Sequence, residues 1–286
     1  MNYHSLRSYS KINLFLEVGN WNKKDKLHNI QSLVFISNLY DEIKIKRIFK
    51  HKDVIKFYGN FAKHVKKSDN SILKSLILLR RTGYIKPSFN YRIEIKKKIP
   101  VFSGLGGGSS NSASIIKFFL KRKKLSVEDL KYFSKKLGSD IKLFFKSNQI
   151  VQKSLSKIIN LKNKKVFYFV IVYPYIKCST KEIYSKFVYQ KIIKKNYNYD
   201  LTSKFKLIKI LKLKNNNLEK IVVKKFPVIR KILDELRENN SCKLSRMTGS
   251  GSACFGLFLT KKSAELGLKK IKKKFPKYWC VISKTI

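Results

Sequence analysis

Apolar positions arrive along this chain in short dense runs separated by lysine-rich stretches. Residues 10–18 (Ser-Lys-Ile-Asn-Leu-Phe-Leu-Glu-Val) are apolar enough to predict a strand. Leu33 to Ile45 predicts another. Tyr91 to Lys97 predicts a third, because Tyr91, Ile93 and Ile95 alternate with Arg92, Glu94 and Lys96. Residues 71–81 carry Ile72, Leu76 and Leu79 at helical spacing. A glycine-rich loop at 104–108 then opens a helix through Leu120. Ser126-Val-Glu-Asp129 has capping-box spacing, with Asp in place of Glu, and starts a helix that Gly138 ends. Val166 to Tyr173, closed by Pro174, reads as a central strand. Residues 190–217, rich in Lys and Asn, read as a loose helical or looped insertion. Pro227 starts an amphipathic helix with Ile229, Ile232, Leu233 and Leu236 on its buried face. Thr248 to Leu259 turns through Gly-Ser-Gly into an apolar strand. Strands and helices mix without regular βαβ alternation, so the expected fold class is α+β, with a boundary near 150–165.

Composition changes this picture little. The chain has 286 residues, 43% of them hydrophobic, which is enough to bury a real core. No apolar run approaches the roughly 20 residues of a membrane span, and the N-terminus lacks a secretory leader pattern. Cys178, Cys242, Cys254 and Cys280 form no CxxC pair and no zinc spacing. Buried thiols in a reducing cytoplasm are the expectation.

Charge brings in a competing function. Lys and Arg number 65 against 17 Asp and Glu, a formal net charge of +48 that admits nucleic acid as a partner. The lysines, however, are spread over the whole chain together with Asn, Ile, Phe and Tyr, as A+T-rich coding DNA would produce. Arginine, the better residue for reading bases, is scarce. No zinc-finger, helix-turn-helix or RRM signature is present. The charge therefore reads as drift on solvated surfaces rather than as a nucleic-acid footprint.

The strongest candidate chemistry is Pro100-Val-Phe-Ser-Gly104-Leu105-Gly106-Gly107-Gly108-Ser109-Ser110. Glycines let backbone N–H groups come close to a ligand, and the helix that follows directs its positive dipole end at phosphate oxygens. Ser109 and Ser110 add hydroxyls for phosphate, a helix cap or a metal. The loop is neither a Walker A motif nor a Rossmann fingerprint. It resembles the second signature of the GHMP kinases, P-x-x-x-G-L-G-x-x-S-S, in which the loop wraps the ATP phosphates.

Further segments resemble one family of these enzymes, the 4-diphosphocytidyl-2-C-methyl-D-erythritol kinases. Ser10-Lys11-Ile12-Asn13-Leu14 resembles the family's A-K-I-N-L strand. Asp25-Lys-Leu27-His28-Asn-Ile-Gln31-Ser32 resembles its D-G-Y-H-x-L-Q-T segment, followed by Leu39-Tyr40-Asp41. Leu137-Gly138-Ser139-Asp140-Ile141 is similar to L-G-A-D-V. In the C-terminal half, Pro174 to Tyr184 with Ser179 and Thr180, then Asn217-Leu218-Glu219, then Met247-Thr-Gly249-Ser250-Gly251, are similar to three more family blocks, all in family order.

The resemblance implies a two-domain GHMP kinase fold. An N-terminal ribosomal-protein-S5-like ATP-binding domain would occupy 1–155, and a ferredoxin-like domain 156–286. It implies ATP-dependent phosphorylation of the 2-hydroxyl of a cytidine-diphosphate methylerythritol in the non-mevalonate route to isoprenoids, with Mg²⁺ accompanying ATP. Asp140 would be the base and Lys11 its orienting partner. Pro100, Gly104, Leu105, Gly106, Gly107, Gly108, Ser109 and Ser110 would hold ATP, while Asn13, Leu27, His28, Thr180 and Tyr184 would hold the substrate. No metal ligands are assigned. The expected enzyme is cytoplasmic, a monomer or homodimer, and independent of membranes and nucleic acid. The sequence departs from the family pattern at Leu27, which replaces an aromatic ring that stacks on cytosine, and also at Asn111 and Ser139. Other GHMP kinases, acting on mevalonate-type, homoserine or sugar substrates, form the neighbouring alternative.

Overall fold

The computed structural model describes residues 2–23, 26–66, 68–120, 125–189, 199 and 202–286; Asp25 and residues 190–198 of the expected insertion lie outside the described residues. Two compact units are present. One comprises Met1–Ser10, Leu39–Val101 and Gly106–Lys146; the other comprises Lys11–Asn38, Phe102–Leu105 and Ser147–Ile286. Strands β1 (His4–Asn22) and β2 (Leu27–Ile48) pair with each other and supply residues to both units.

In the first unit the C-terminal part of β2 pairs antiparallel with β4 (Asn90–Lys96), and β3 (Val54–Tyr58) pairs parallel with β4. Ile43 lies opposite Ile95 and Ile45 opposite Ile93, and all four are fully buried. The expected alternation of β4 thus holds for both isoleucines. Helix α1 (Ser71–Arg81) packs on α2 (Gly107–Leu120) and α3 (Val127–Leu137). It buries Ile72, Leu76 and Leu79, as the helical spacing requires. Ser126 caps α3 by accepting from Asp129 N at 2.9 Å, but the reciprocal half of a capping box is absent. The carboxylate of Asp129 is one methylene shorter than that of Glu, and it accepts from the Tyr84 hydroxyl at 2.7 Å instead.

In the second unit the N-terminal part of β2 pairs with β5 (Gln149–Gln152), which pairs with β6 (Ile158–Asn160). A four-stranded antiparallel sheet among the described residues has the order β10-β7-β9-β8: β7 (Tyr168–Tyr173), β8 (Leu244–Met247), β9 (Cys254–Phe258) and β10 (Trp279–Lys284). The unit also contains α4 (Thr180–Ser185), α5 (Lys204–Lys212), α6 (Glu219–Lys225), α7 (Val228–Arg237) and α8 (Lys261–Lys274); α7 and α8 pack on this sheet.

Strand β7 is internal, as expected, but starts later than its apolar run. Val166 is exposed, and the Phe167 amide donates to the Thr285 hydroxyl before the ladder begins. Strand β9 likewise begins only at Cys254, because residues 248–253 form the turn. Helix α7 buries Ile229, Ile232, Leu233 and Leu236. The described C-terminal part of the Lys/Asn-rich stretch is a regular helix, α5, which Leu207, Ile208, Ile210 and Leu211 anchor in the unit. All four thiols are free. Cys178, Cys254 and Cys280 are buried, whereas Cys242 is only partly so.

Candidate active site

The strand that carries Lys11 and Asn13 is held by residues from the far end of the chain. The Arg246 guanidinium, buried in β8, donates to the carbonyls of Leu14 at 2.6 Å, Leu211 at 3.1 Å and Lys214 at 2.5 Å. Burial lowers its pKa to about 10, against the fields of Glu219 and Glu17. Leu16 N donates to Asn215 O and Asn217 N to Leu16 O, while the Asn217 carboxamide oxygen accepts from Val18 N. Lys214 pairs with Glu17 at 2.8 Å in the same buried layer. The bonds of Leu14, Leu16, Glu17 and Val18 tie β1 to 214–217 and 246, and the other two Arg246 bonds hold 211–214 in the same layer, so β1 cannot slide by one position. A slip of one would turn Lys11 and Asn13 to the opposite face.

Lys11 is 3% exposed and its ammonium donates to the Asn13 carboxamide oxygen, so both side chains share one face of β1, as a two-residue spacing requires. The Asn13 amide nitrogen donates to Ser32 Oγ at 2.7 Å, and Ser32 donates onward to Phe15 O at 2.6 Å. The Asn13 backbone N–H donates to Thr248 Oγ1 at 2.9 Å. A buried ammonium, a carboxamide and two hydroxyls therefore form one polar network in an otherwise apolar strand. Sequence reasoning singled out Lys11 and Asn13 but not Ser32 and Thr248, which the structure bonds to Asn13. Thr248 sits inside the Met-Thr-Gly-Ser-Gly block, which was the available signal.

Within the second unit, the start of the glycine loop is interlocked with that same turn. Gly104 has φ +76°, and a Cβ there would lie 2.1 Å from Thr248 O. A Cβ on Gly249 (φ +57°) would lie 2.9 Å from Gly104 O and 3.1 Å from Lys11 Nζ. Only glycine fits either position. Lys11 N donates to Leu105 O at 2.9 Å and Ala253 N to Ser103 O at 3.1 Å, and Leu105 is fully buried. Asn216 donates to the carbonyls of Met247 and Gly249, both at 2.8 Å, and Glu219 accepts from Met247 N at 2.8 Å. Burial raises the Glu219 carboxyl's pKa against that bond and the nearby arginines.

In the first unit the loop continues into α2. Asp41 is completely buried, pairs with the Lys97 ammonium, and accepts from Lys98 N at 2.7 Å and Ile99 N at 2.8 Å. One carboxylate thus shapes the approach to buried Pro100. Gly107 packs so closely on Ile99 that a Cβ would come within 3.0 Å of it, whereas Gly108 is open. Ser110 N donates to Gly106 O, and the buried Ser110 hydroxyl accepts from Ser8 at 2.7 Å. Asn111 follows with a buried carboxamide oxygen that has no hydrogen-bond partner. Asp140 lies in this unit too, part-exposed, in a short 3-10 helix (Ser139–Phe145) rather than in the open loop its glycine neighbour suggested.

The remaining expected site residues gather in the second unit. The His28 Nδ1 lies 3.0 Å from Gly19 O, and its ring is 6.1 Å from Tyr184. Thr180 opens α4, with its hydroxyl 2.9 Å from the Ser250 hydroxyl. Leu27 is exposed.

The GHMP kinases N-terminal domain model matches residues 70–143, and the GHMP kinases C-terminal model matches 200–277. The fold is similar to a crystal structure of 4-(cytidine 5′-diphospho)-2C-methyl-D-erythritol kinase, with TM-score 0.71 and 21% identity over 99% of this chain and 100% of that one. It is equally similar to homoserine kinase from Cytophaga hutchinsonii, with TM-score 0.72 and 14% identity over 100% and 95% of the two chains. Fold alone therefore does not separate the substrates. Sequence does: 4-diphosphocytidyl-2-C-methyl-D-erythritol kinase of Pelagibacter ubique is 36% identical over the whole of both chains. By that full-length similarity and both domain matches, the chain belongs to the 4-diphosphocytidyl-2-C-methyl-D-erythritol kinase family of GHMP kinases.

Proposed function

We propose that this chain transfers the γ-phosphoryl group of ATP to the 2-hydroxyl of 4-diphosphocytidyl-2-C-methyl-D-erythritol, releasing ADP and the 2-phosphate. The observation that carries this reading is the 36% identity to the Pelagibacter kinase over both full lengths. The N–H groups of Gly104 to Gly108 receive the phosphates, helped by Leu105, the Ser109 and Ser110 hydroxyls and the rigid Pro100 approach. Asp140 takes the proton from the attacking hydroxyl, and Lys11 orients that carboxylate and balances the charge that develops on the transferred group. Asn13, His28, Thr180 and Tyr184 hold the substrate, with Leu27 at its edge. The buried Lys11–Asn13–Ser32 network supports these roles, since it fixes an ammonium on a strand that cannot shift register.

Mg²⁺ fits these residues as an ion carried in on the nucleotide. Among the described residues no three His, Cys, Asp or Glu side chains cluster into a cage, but the Ser109 and Ser110 hydroxyls lie in the first turn of α2. When bound, the ion neutralises phosphate charge; the proton transfer remains with Asp140. We further assign the activity to a monomer or homodimer in the cytoplasm, with no functional role for nucleic acid. Among the described residues no helix is long and apolar enough to cross a membrane.

The decisive test is ADP release from Mg-ATP and the cytidylyl substrate. Wild type should turn over, and Asp140→Asn should lose about 10²- to 10⁴-fold in kcat with a normal melting curve. A folded wild type without turnover would overturn the substrate assignment.

A further inference from the structure

An unassigned ring stands beside His28. Trp21, near the end of β1, is 53% exposed, the most open of four aromatic rings clustered in the second unit. Its centroid lies 5.1 Å from that of His28, with the planes at 74°. Phe187 approaches His28 from 5.5 Å at 87°. Phe187 and Tyr184 are partly buried and pack against the unit's hydrophobic core, which commits much of their surface to the protein. The edge-to-face contact with His28 fixes the indole and leaves over half of it in solvent. A held indole with an open face is a surface on which a planar ring can stack.

The neighbouring residue cannot serve that purpose. Leu27 has no π-system, and alternation along β2 directs its side chain to the opposite face from His28. The histidine is also set up as an acceptor. A carbonyl can only accept, so the bond to Gly19 O places the proton on Nδ1, and neutral His28 then presents a bare Nε2 lone pair. A planar ring with an exocyclic amino group complements both features: its face stacks on the indole and its N–H meets Nε2.

We infer that Trp21 is the platform on which the cytosine of the substrate stacks, in place of the ring missing at position 27. This rests on the proposed cytidylyl substrate and makes Trp21 a specificity-determining residue of the second unit. No bond is made or broken there, so its contribution belongs to substrate binding and not to phosphoryl transfer.

Trp21 and Trp279 are the chain's two tryptophans, so Trp279→Phe leaves Trp21 as sole reporter. Cytidine 5′-monophosphate should quench its emission saturably. In steady-state assays Trp21→Leu should raise KM for the cytidylyl substrate about 5- to 100-fold, with kcat within about twofold and KM for ATP unchanged. Trp21→Phe should recover most of the loss, which a mere packing role for the indole would not explain. Full turnover with unresponsive Trp21 emission, or a Trp21→Leu enzyme with unaltered KM, would overturn the inference. A wild type that fails to turn over the substrate while the nucleotide still quenches Trp21 would sink the substrate assignment and keep the platform. Neither turnover nor quenching would sink both.

Discussion

The glycine loop and the aromatic cluster around His28 are built on opposite terms. At Gly104 the backbone of Thr248 occupies the space a side chain would need, and φ is positive, so no other residue fits. Around His28 the contacts are ring to ring at 5.1–6.1 Å, and one ring can stand in for another from a different sequence position. A chain with so strong a compositional bias carries the whole Gly-rich string, yet has Leu27 where the family pattern that it resembles has an aromatic. Constraint that acts through backbone space is local and absolute. Constraint that acts through stacking area can be met from several places.

This contrast can be broken most severely at its rigid end. Gly104→Ala forces a Cβ to within 2.1 Å of the Thr248 carbonyl, so the turn and Lys11 must move. We expect kcat/KM to fall more than about 100-fold, the cost of misplacing catalytic groups by roughly an ångström, in an enzyme that still binds CMP. Next in size, Arg246→Met removes three buried hydrogen bonds from the clamp on β1 and should cost about 3–5 kcal/mol by urea denaturation. Gly108→Ala sharpens the comparison from the other side. That glycine is helical and a Cβ there would meet only Ser71 Oγ, at 3.9 Å, so alanine should stabilise the fold by about 0.5–1 kcal/mol. Loss of ATP affinity in that stabilised variant would mean that the space at Gly108 is reserved for phosphate.

The smallest effect concerns Glu219. Burial raises its folded pKa above the unfolded value of 4.5, so the neutral carboxyl is the form that folding favours. The stability this supplies is complete below pH 4.5 and is lost as pH rises through the folded pKa. Glu219→Gln keeps an oxygen for the Met247 amide and does not titrate. Its melting temperature should match wild type in acid and exceed it progressively toward neutral pH.

Reading the sequence located these regions unequally, for physical reasons. Helices α1 and α7 were legible because each buries one clean stripe. The loop stood out because its whole string from Pro100 to Ser110 resembles the GHMP signature; its glycines alone would read as an ordinary turn. The short strands β3, β5 and β6 were not, since three to five residues show no period of their own and depend on the strand they pair with. Asp129 had the spacing for a reciprocal cap but not the length. Asp41 and Arg246 were invisible as organisers: in a chain with this many charges, nothing marks which few are buried. Trp21 was missed because its partner, His28, lies on the neighbouring strand, and an isolated tryptophan carries no pattern.

The clamp on β1 also sets a timetable for synthesis. The hydrogen bond between Asn13 and Thr248 joins residues 235 apart in sequence, and that between Leu14 and Arg246 joins residues 232 apart. At elongation rates of about 5–20 residues per second, about 10–50 s pass between the ribosome's addition of the first partner and the last. Through that interval a strand with a buried ammonium must wait, unclamped, for a C-terminal turn that does not yet exist. Lys11 and Asn13 are thus among the first residues made and the last to reach their final places.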